Sequence, residues 1–194
     1  MSSPPTNHIV GPHLLAAVAR GEPESLDRWY RSEHPVVYRL CFGFLANGTE
    51  AEDAAQDAML KLADKLASYD LGRPYPAWRN TVVLNHCRDV LRRGASRRNA
   101  EQAAPVQLPA RLPARPEEEA TAGEIRELLH RALAQLSPRE REAFVLRDLE
   151  GRPTREAAEV LGVGESTVRS LLTLARRRLR QLLGERLALG GTSR

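Results

Sequence analysis

Three groups of side chains in this chain have the types and spacing to do chemistry, and in each the chemistry is binding rather than bond-making. From Arg169 to Arg180 the basic residues Arg169, Arg176, Arg177, Arg178 and Arg180 follow one another with no acid among them. Guanidinium forks carried on a helix suit phosphate oxygens and the acceptor edges of bases. Tyr75 and Trp78 lie beside Asn80, Asn85, Arg88 and Arg92. Aromatic faces next to arginines can stack unpaired bases while the arginines hold phosphates, as single-strand capture requires. The third group, Glu50, Asp53, Gln56 and Asp57, is an acidic face that fits a basic partner. Each group also has an ordinary reading. Acids in a first turn and arginines in a last turn simply suit the helix dipole, a cationic face is usually just solvated, and Trp78 taken alone reads as core.

The arginines need an element to present them, and the stretch from Leu136 to Leu183 has the punctuation of a helix-turn-helix. Ser137 caps a helix, Pro138 suits its first turn, and Glu140 stands where a capping box needs it. Gly151 stops that helix. Thr154 caps the next, whose Ala157, Ala158 and Leu161 share a face before Gly162 ends it, and Gly164 serves as cap for the last helix. Small Ala158, turn-forming Gly162 and packing Val168 stand at offsets expected of the motif. The positive end of the last helix, around Gly164 to Thr167, then points toward a phosphate or a groove.

The other two groups call for helices of their own. Leu14 to Ala19 ends at Gly21, Pro23 opens a segment carrying Leu26, Trp29 and Tyr30, and Pro35 opens another carrying Val37, Leu40 and Phe44 before Asn47 and Gly48 terminate it. Thr49 and Glu52 read as a second capping box, for a helix running to about Ala67 with Ala55, Met59, Leu62, Ala63 and Leu66 inward. A turn-rich connection from Asp70 to Pro76 leads into a helix from about Ala77 to Arg93. From Gly94 to Gly123 the pattern gives way to Ala, Pro, Arg and Glu, with Pro105, Pro109, Pro113 and Pro116 excluding any long helix. That is a linker, long enough when extended to let two helical units reach separate sites on one partner.

Composition agrees with an all-α fold and narrows the function. The 194 residues are 42% hydrophobic but only 5% aromatic, and no strand-type alternation stands out. A formal net charge of +4 is modest, so the uneven distribution of charge matters more than its sum. Cys41 and Cys87 are the only cysteines and lack zinc-ligand spacing; buried free thiols in a reducing cytosol are expected, with a redox pair left open until geometry is known. The histidines at 8, 13, 34, 86 and 130 are scattered. No apolar run is long enough for a membrane span and no leader pattern opens the chain, so a cytoplasmic location is expected. GxSxG, P-loop and paired nucleophile–histidine patterns are missing, so no enzymatic activity, cofactor or metal is expected.

Taken in order, the segments GEPESLDRWYRSEHPVVYRL, AEDAAQDAMLKLADKLASYD, GRPYPAWRNTVVLNHCRDVLRR, LSPREREAFVLRDLEG and LGVGESTVRSLLTLARRRLR resemble a bacterial extracytoplasmic-function sigma factor from about Leu14 to Leu183. The resemblance implies two small helical domains. Residues 12–94 would form sigma domain 2 and 124–186 sigma domain 4, with a tail at 1–11, a linker at 95–123 and a tail at 187–194. It implies that Glu52, Asp53, Gln56, Asp57 and Leu60 dock on core RNA polymerase. It places Tyr75, Trp78, Asn80, Asn85, Arg88 and Arg92 at the -10 promoter element. At the -35 element it places Thr154, Arg155, Glu165, Ser166, Thr167, Arg169, Ser170, Thr173, Arg176 and Arg177. The polymerase would supply the catalysis. Leu171, Thr173 and Leu174 stand where many relatives carry a basic residue, an imidazole and another basic residue. Leu171 reads as core, and Leu174 beside Leu172 and Ala175 predicts an apolar face for a partner such as an anti-sigma factor. The competing reading is a stand-alone helix-turn-helix regulator that dimerises on a palindrome, although no dimerisation heptad is evident.

Overall fold

The computed structural model describes residues 10–101 and 128–190, and among these residues there is no strand. The helices are α1 (Pro12–Ala19), α2 (Pro23–Leu45), α3 (Gly48–Leu66), α4 (Tyr75–Glu101), helical residues 128–134 (α5), α6 (Pro138–Phe144), α7 (Thr154–Leu161) and α8 (Glu165–Gly190). The all-α expectation holds. Most of the expected tail at 1–11, the proline-rich linker from residue 102 on, and residues 191–194 lie outside the described residues.

In the first half α2 packs on α3 and α4, and α3 packs on α4. Trp29, Val37, Leu40 and Phe44 of α2 meet Ala51, Ala55, Met59 and Leu62 of α3 and Val83, Leu84 and Cys87 of α4, all of them buried. Pro35 does not open a new helix, as the sequence predicts; it lies inside α2. An interior proline costs a helix about 3 kcal/mol. Burial of Trp29 before it and of Val37, Leu40 and Phe44 after it outweighs that cost, since each large apolar side chain contributes about 1.5–3 kcal/mol.

Two boundaries also differ from the sequence reading. The N-cap of α3 is Asn47, whose side chain accepts from the Glu50 amide at 3.4 Å, so Thr49 and Glu52 form no capping box. The cause is Ala46, which ends α2 in the left-handed region at φ 49°, ψ 41° and hands an extended Asn47 to the next helix. The fourth helix does not stop at Arg93 but continues to Glu101. Ala95, Arg97, Arg98 and Ala100 are all good helix formers, and no proline intervenes before Pro105.

The second half keeps its predicted punctuation with one exception. Ser137 accepts from the Glu140 amide at 3.4 Å and its own amide donates to Glu140 Oε2 at 2.8 Å, a complete capping box. The helix then widens into a π turn over Val145–Leu149, and Gly151 breaks away at φ 65°. Pro153, not Thr154, stands at the N-cap of α7, with no side-chain cap; Thr154 is the first helical residue. Gly162 makes the turn at φ 67°, ψ 37°, beyond which α8 packs on α6 and α7 through Val168, Leu172, Ala175 and Leu179.

The two sets of helices do not stand apart. Helix α7 packs against α4 and α6 against α2. A single hydrophobic cluster runs from Trp29, Leu40 and Met59 through Val145, Leu146 and Val168.

Candidate nucleic-acid interface

Burial along α8 sorts its residues into two faces. Val168, Leu172, Ala175 and Leu179, spaced by three or four, are buried against the rest of the unit. Glu165, Ser166, Thr167, Arg169, Ser170, Thr173, Arg176 and Arg177 are all exposed, as is Arg155 on α7, whereas Thr154 is half-buried. Leu171 packs against the core and Leu174 remains 39% exposed. Several of these cations are braced within the chain. Arg169 donates to Glu165 Oε2 at 2.9 Å and Arg155 to Glu159 Oε1 at 3.2 Å. Arg176 forks onto both oxygens of Asp148 at 2.8 and 2.6 Å, tying α8 to the π turn. Exposed pairs of this kind are worth about 0.2–1 kcal/mol. A phosphate, which offers the same two-oxygen geometry as Asp148, can take its place on the Arg176 fork.

Around the start of α4 three rings form one cluster. Trp78 lies 4.7 Å from Tyr69 and 5.7 Å from Tyr75, and Tyr69 meets Tyr75 edge-on at 5.7 Å. The Tyr75 hydroxyl accepts from Trp29 Nε1 at 2.9 Å, and burial pushes its phenol well above the ordinary tyrosine range. Tyr75 is thus an internal strut, and Trp78, half-buried, is the ring with a face left to offer.

Asn80 requires a correction. It is fully buried, and its Oδ1 accepts from Arg79 Nε and Nη2, both at 3.1 Å. Arg79 in turn donates to Glu33 Oε2 at 3.1 Å, and Glu33 and Arg79 are only 2% and 5% exposed. The trio locks α4 to α2, so Asn80 supports the helix instead of presenting to DNA. Sequence reasoning missed the pairing; the available signal was an acid and a base each with apolar residues three and four positions away on either side, Trp29 and Val37 about Glu33 and Tyr75 and Val83 about Arg79. Asn85 and Arg92 are exposed as expected, with Arg92 paired to Asp89. Arg88 is half-buried, and its fork is occupied by Glu142 of α6, at 2.8 and 2.7 Å.

On α3, Glu52, Asp53, Gln56 and Asp57 all face solvent, and Leu60 at 66% exposed stands among them. An acidic face with an apolar knob is complementary to a basic protein surface. Behind it, Lys61 Nζ lies 2.6 Å from His86 Nδ1, with Asp57 Oδ2 at 3.9 Å from His86 Nε2. Burial, with the Lys61 ammonium adding to it, holds the His86 imidazole below its ordinary value.

Cys41 and Cys87 are free and buried side by side, and a hydrogen bond with Cys41 together with burial pushes the Cys87 thiol up. A thiol raised in this way is a poor nucleophile. Among the described residues no group of His, Cys, Asp and Glu could hold a metal ion, and no helix is long and apolar enough to cross a membrane.

Known proteins share this layout. Residues 29–98 match Sigma-70 region 2 and residues 126–179 match Sigma-70, region 4. The ECF RNA polymerase sigma factor SigM of Mycobacterium tuberculosis is 33% identical over 171 residues, spanning 88% of this chain and 83% of its own. The RNA polymerase sigma factor CarQ of Myxococcus xanthus is 33% identical over 165 residues, spanning 85% and 92%. The fold is that of the sigma factor RpoE of Bartonella quintana, solved with the anti-sigma factor NepR, at a TM-score of 0.68 and 24% identity over 81% of this chain and 96% of that one. CnrH, solved with the cytosolic domain of CnrY, superposes with a TM-score of 0.66 over 90% and 97%, also at 24% identity. The dimeric-regulator reading accounts for none of the region 2 match, whereas the two family matches together span most of the described helices, and SigM is 33% identical over most of both chains: the chain belongs to the ECF sigma factors of RNA polymerase.

Proposed function

We propose that this chain gives core RNA polymerase its promoter specificity through three separate faces. The exposed side of α3, with Glu52, Asp53, Gln56, Asp57 and Leu60, docks on the polymerase. Helix α4 reads the -10 element, with Trp78 stacking an unpaired base and Asn85, Arg88 and Arg92 holding the strand. Tyr75 and Asn80 position that helix from within. Helix α8 enters the major groove at the -35 element through Ser166, Thr167, Arg169, Ser170 and Thr173, with Arg176 and Arg177 toward the phosphates and Glu165 at the mouth of the groove. Arg155 and the half-buried Thr154 approach the same strand from α7. The chain is not itself an enzyme and works in the cytoplasm with the polymerase. Leu174, exposed beside these contacts, is where an anti-sigma partner covers the recognition helix.

The observation that carries this reading is the register of α8, in which the expected contact residues of that helix face solvent while Val168, Leu172, Ala175 and Leu179 are buried. Reconstitution with core polymerase and mapping of transcription starts provides the test. Start-site selection that disappears on Arg169→Ala, with core association intact, is the expected result. Failure of the chain to bind core polymerase, or starts that do not depend on it, would overturn the proposal.

A further inference from the structure

We infer that Asp148 is a positioning residue for the upstream DNA contact: holding the Arg176 fork from the π turn, it fixes the edge of that guanidinium which duplex can reach, and so separates promoter from other DNA. This rests on the reading of α8 given above.

Among the solvent-facing cations of α7 and α8, Arg176 is held differently from the rest. Arg155 and Arg169 each donate one nitrogen to an acid one turn away on their own helix, Glu159 and Glu165, and both members of each pair are exposed. Such pairs travel with the helix and exchange readily. Arg177, also exposed, has no carboxylate partner among the described residues. Arg176 instead gives Nε to Asp148 Oδ2 at 2.8 Å and Nη2 to Oδ1 at 2.6 Å, across 28 residues of chain. The Asp148 side chain is 21% exposed against 51% for Arg176, so the acid is the fixed member of the pair. Its backbone shows why. Val145 and Leu146 anchor the π turn in the core, and the Glu150 and Arg152 amides donate to their carbonyls, both at 2.9 Å. Arg147 Nη1 also bonds the Arg152 carbonyl, which closes the turn around Asp148.

A guanidinium carries five N–H donors, and a two-oxygen fork uses two of them. The others meet no acceptor among the described residues. In the seated register a phosphate oxygen meets that remaining edge while Asp148 stays in place, so the side chain reaches DNA already ordered. In any other register a phosphate reaches Arg176 only by taking the fork from Asp148, and this leaves an unpaired carboxylate against the phosphate backbone. Like charge then opposes the wrong register; specificity is built from repulsion as well as attraction. Arg177 supplies the grip that any duplex receives.

The test uses holoenzyme reconstituted with core polymerase, a duplex carrying the promoter found upstream of a mapped start, and the same duplex with its -35 element scrambled. Asp148→Asn keeps the side-chain shape and removes the charge. It should tighten the scrambled probe about 5-fold, the upper range for a surface ion pair, and move the promoter by under about 2-fold. On the scrambled probe the slope of log affinity against log salt should steepen by about 0.9, the worth of one further phosphate contact. Arg176→Lys leaves the π turn untouched, keeps the charge and offers no fork, and it should lower discrimination by a similar factor. With Arg176 replaced by alanine, Asp148→Asn should leave discrimination where it is, a result that a purely structural role for Asp148 would not give. Equal tightening of both probes by Asp148→Asn would overturn the inference. So would unchanged discrimination in that variant or in Arg176→Lys, or an undiminished effect of Asp148→Asn when Arg176 is alanine. Unsubstituted holoenzyme that binds both probes alike would instead overturn the reading of α8 on which the inference stands.

Discussion

Replacing Arg79 by alanine should be among the most damaging single changes in this chain, although no sequence-level rule would single it out. The Glu33 carboxylate is 2% exposed and receives Arg79 Nη1 at 3.1 Å, and the same guanidinium supplies the donors to buried Asn80 Oδ1. Removing the cation strands one charge and one amide oxygen in the α2–α4 interface. Breaking a buried pair in this way costs about 3–5 kcal/mol, a large share of the roughly 5–15 kcal/mol that holds a typical protein folded. For a chain of this length each kcal/mol lowers the melting temperature by about 2–4 °C, so a fall of about 6–20 °C is expected. Taking both charges away together, as Glu33→Met with Arg79→Met, should be much milder, because neither desolvated charge is left alone. Urea denaturation followed by circular dichroism on Glu33→Met, on Arg79→Met and on the double gives the cycle. The reasoning is refuted if Arg79→Ala costs under about 1 kcal/mol, the value of an exposed pair, or if the double variant loses the sum of the two singles.

Three further outcomes are expected. Ser137→Ala removes the side-chain half of the capping box and should cost about 1 kcal/mol, with Ser137→Gly costing only a few tenths, both read from the same denaturation curves. His86 is held below the ordinary histidine value of 6.5 by burial first and then by the Lys61 ammonium, against the opposing pull of Asp57 and Asp89 and with Arg93 adding to the depression. The unfolded chain therefore takes up a proton below about pH 6.5 that the folded chain resists. Stability present above that pH should decline as the pH falls through the folded-state value, and His86→Gln should flatten the decline in a pH series of melting curves. Trp78→Ala should weaken holoenzyme binding to a single-stranded -10 probe by about 1–3 kcal/mol, the worth of one stacked base, while leaving duplex -35 binding unchanged; equal loss on both probes would place Trp78 in the core alone.

What was legible in the sequence was local. The capping box of Ser137 and Glu140 and the turn at Gly162 were readable because capping and left-handed turns are decided within a few residues. The two faces of α8 were readable because helical spacing fixes which side chains are buried together. What was not legible depended on partners distant in the chain. Pro35 reads as a breaker until Trp29 and Val37 are seen gripping α2 on either side of it. Asn80 reads as a surface amide until Arg79 and Glu33, 46 residues apart, close over it. Arg88 reads as a free cation because Glu142 lies 54 residues away. Even the choice between Asn47 and Thr49 as cap turned on the backbone of Ala46, which no composition rule assigns.

Ala46 carries a further consequence of its own. It is the only non-glycine among the described residues with positive φ, and left-handed backbone costs such a residue about 1–2 kcal/mol. Its methyl group is 6% exposed because Leu133, Leu136, Ala175 and Leu179 of the other half close over it, and burying one methyl group returns about 0.8 kcal/mol. Burial offsets a good part of the backbone cost, so the corner between α2 and α3 leans on the other half of the protein. Without that packing the corner would keep its backbone cost and lose the burial that offsets it. Docking of the second half is thereby coupled to the rigidity of the junction that orients α3, the helix offered to the polymerase.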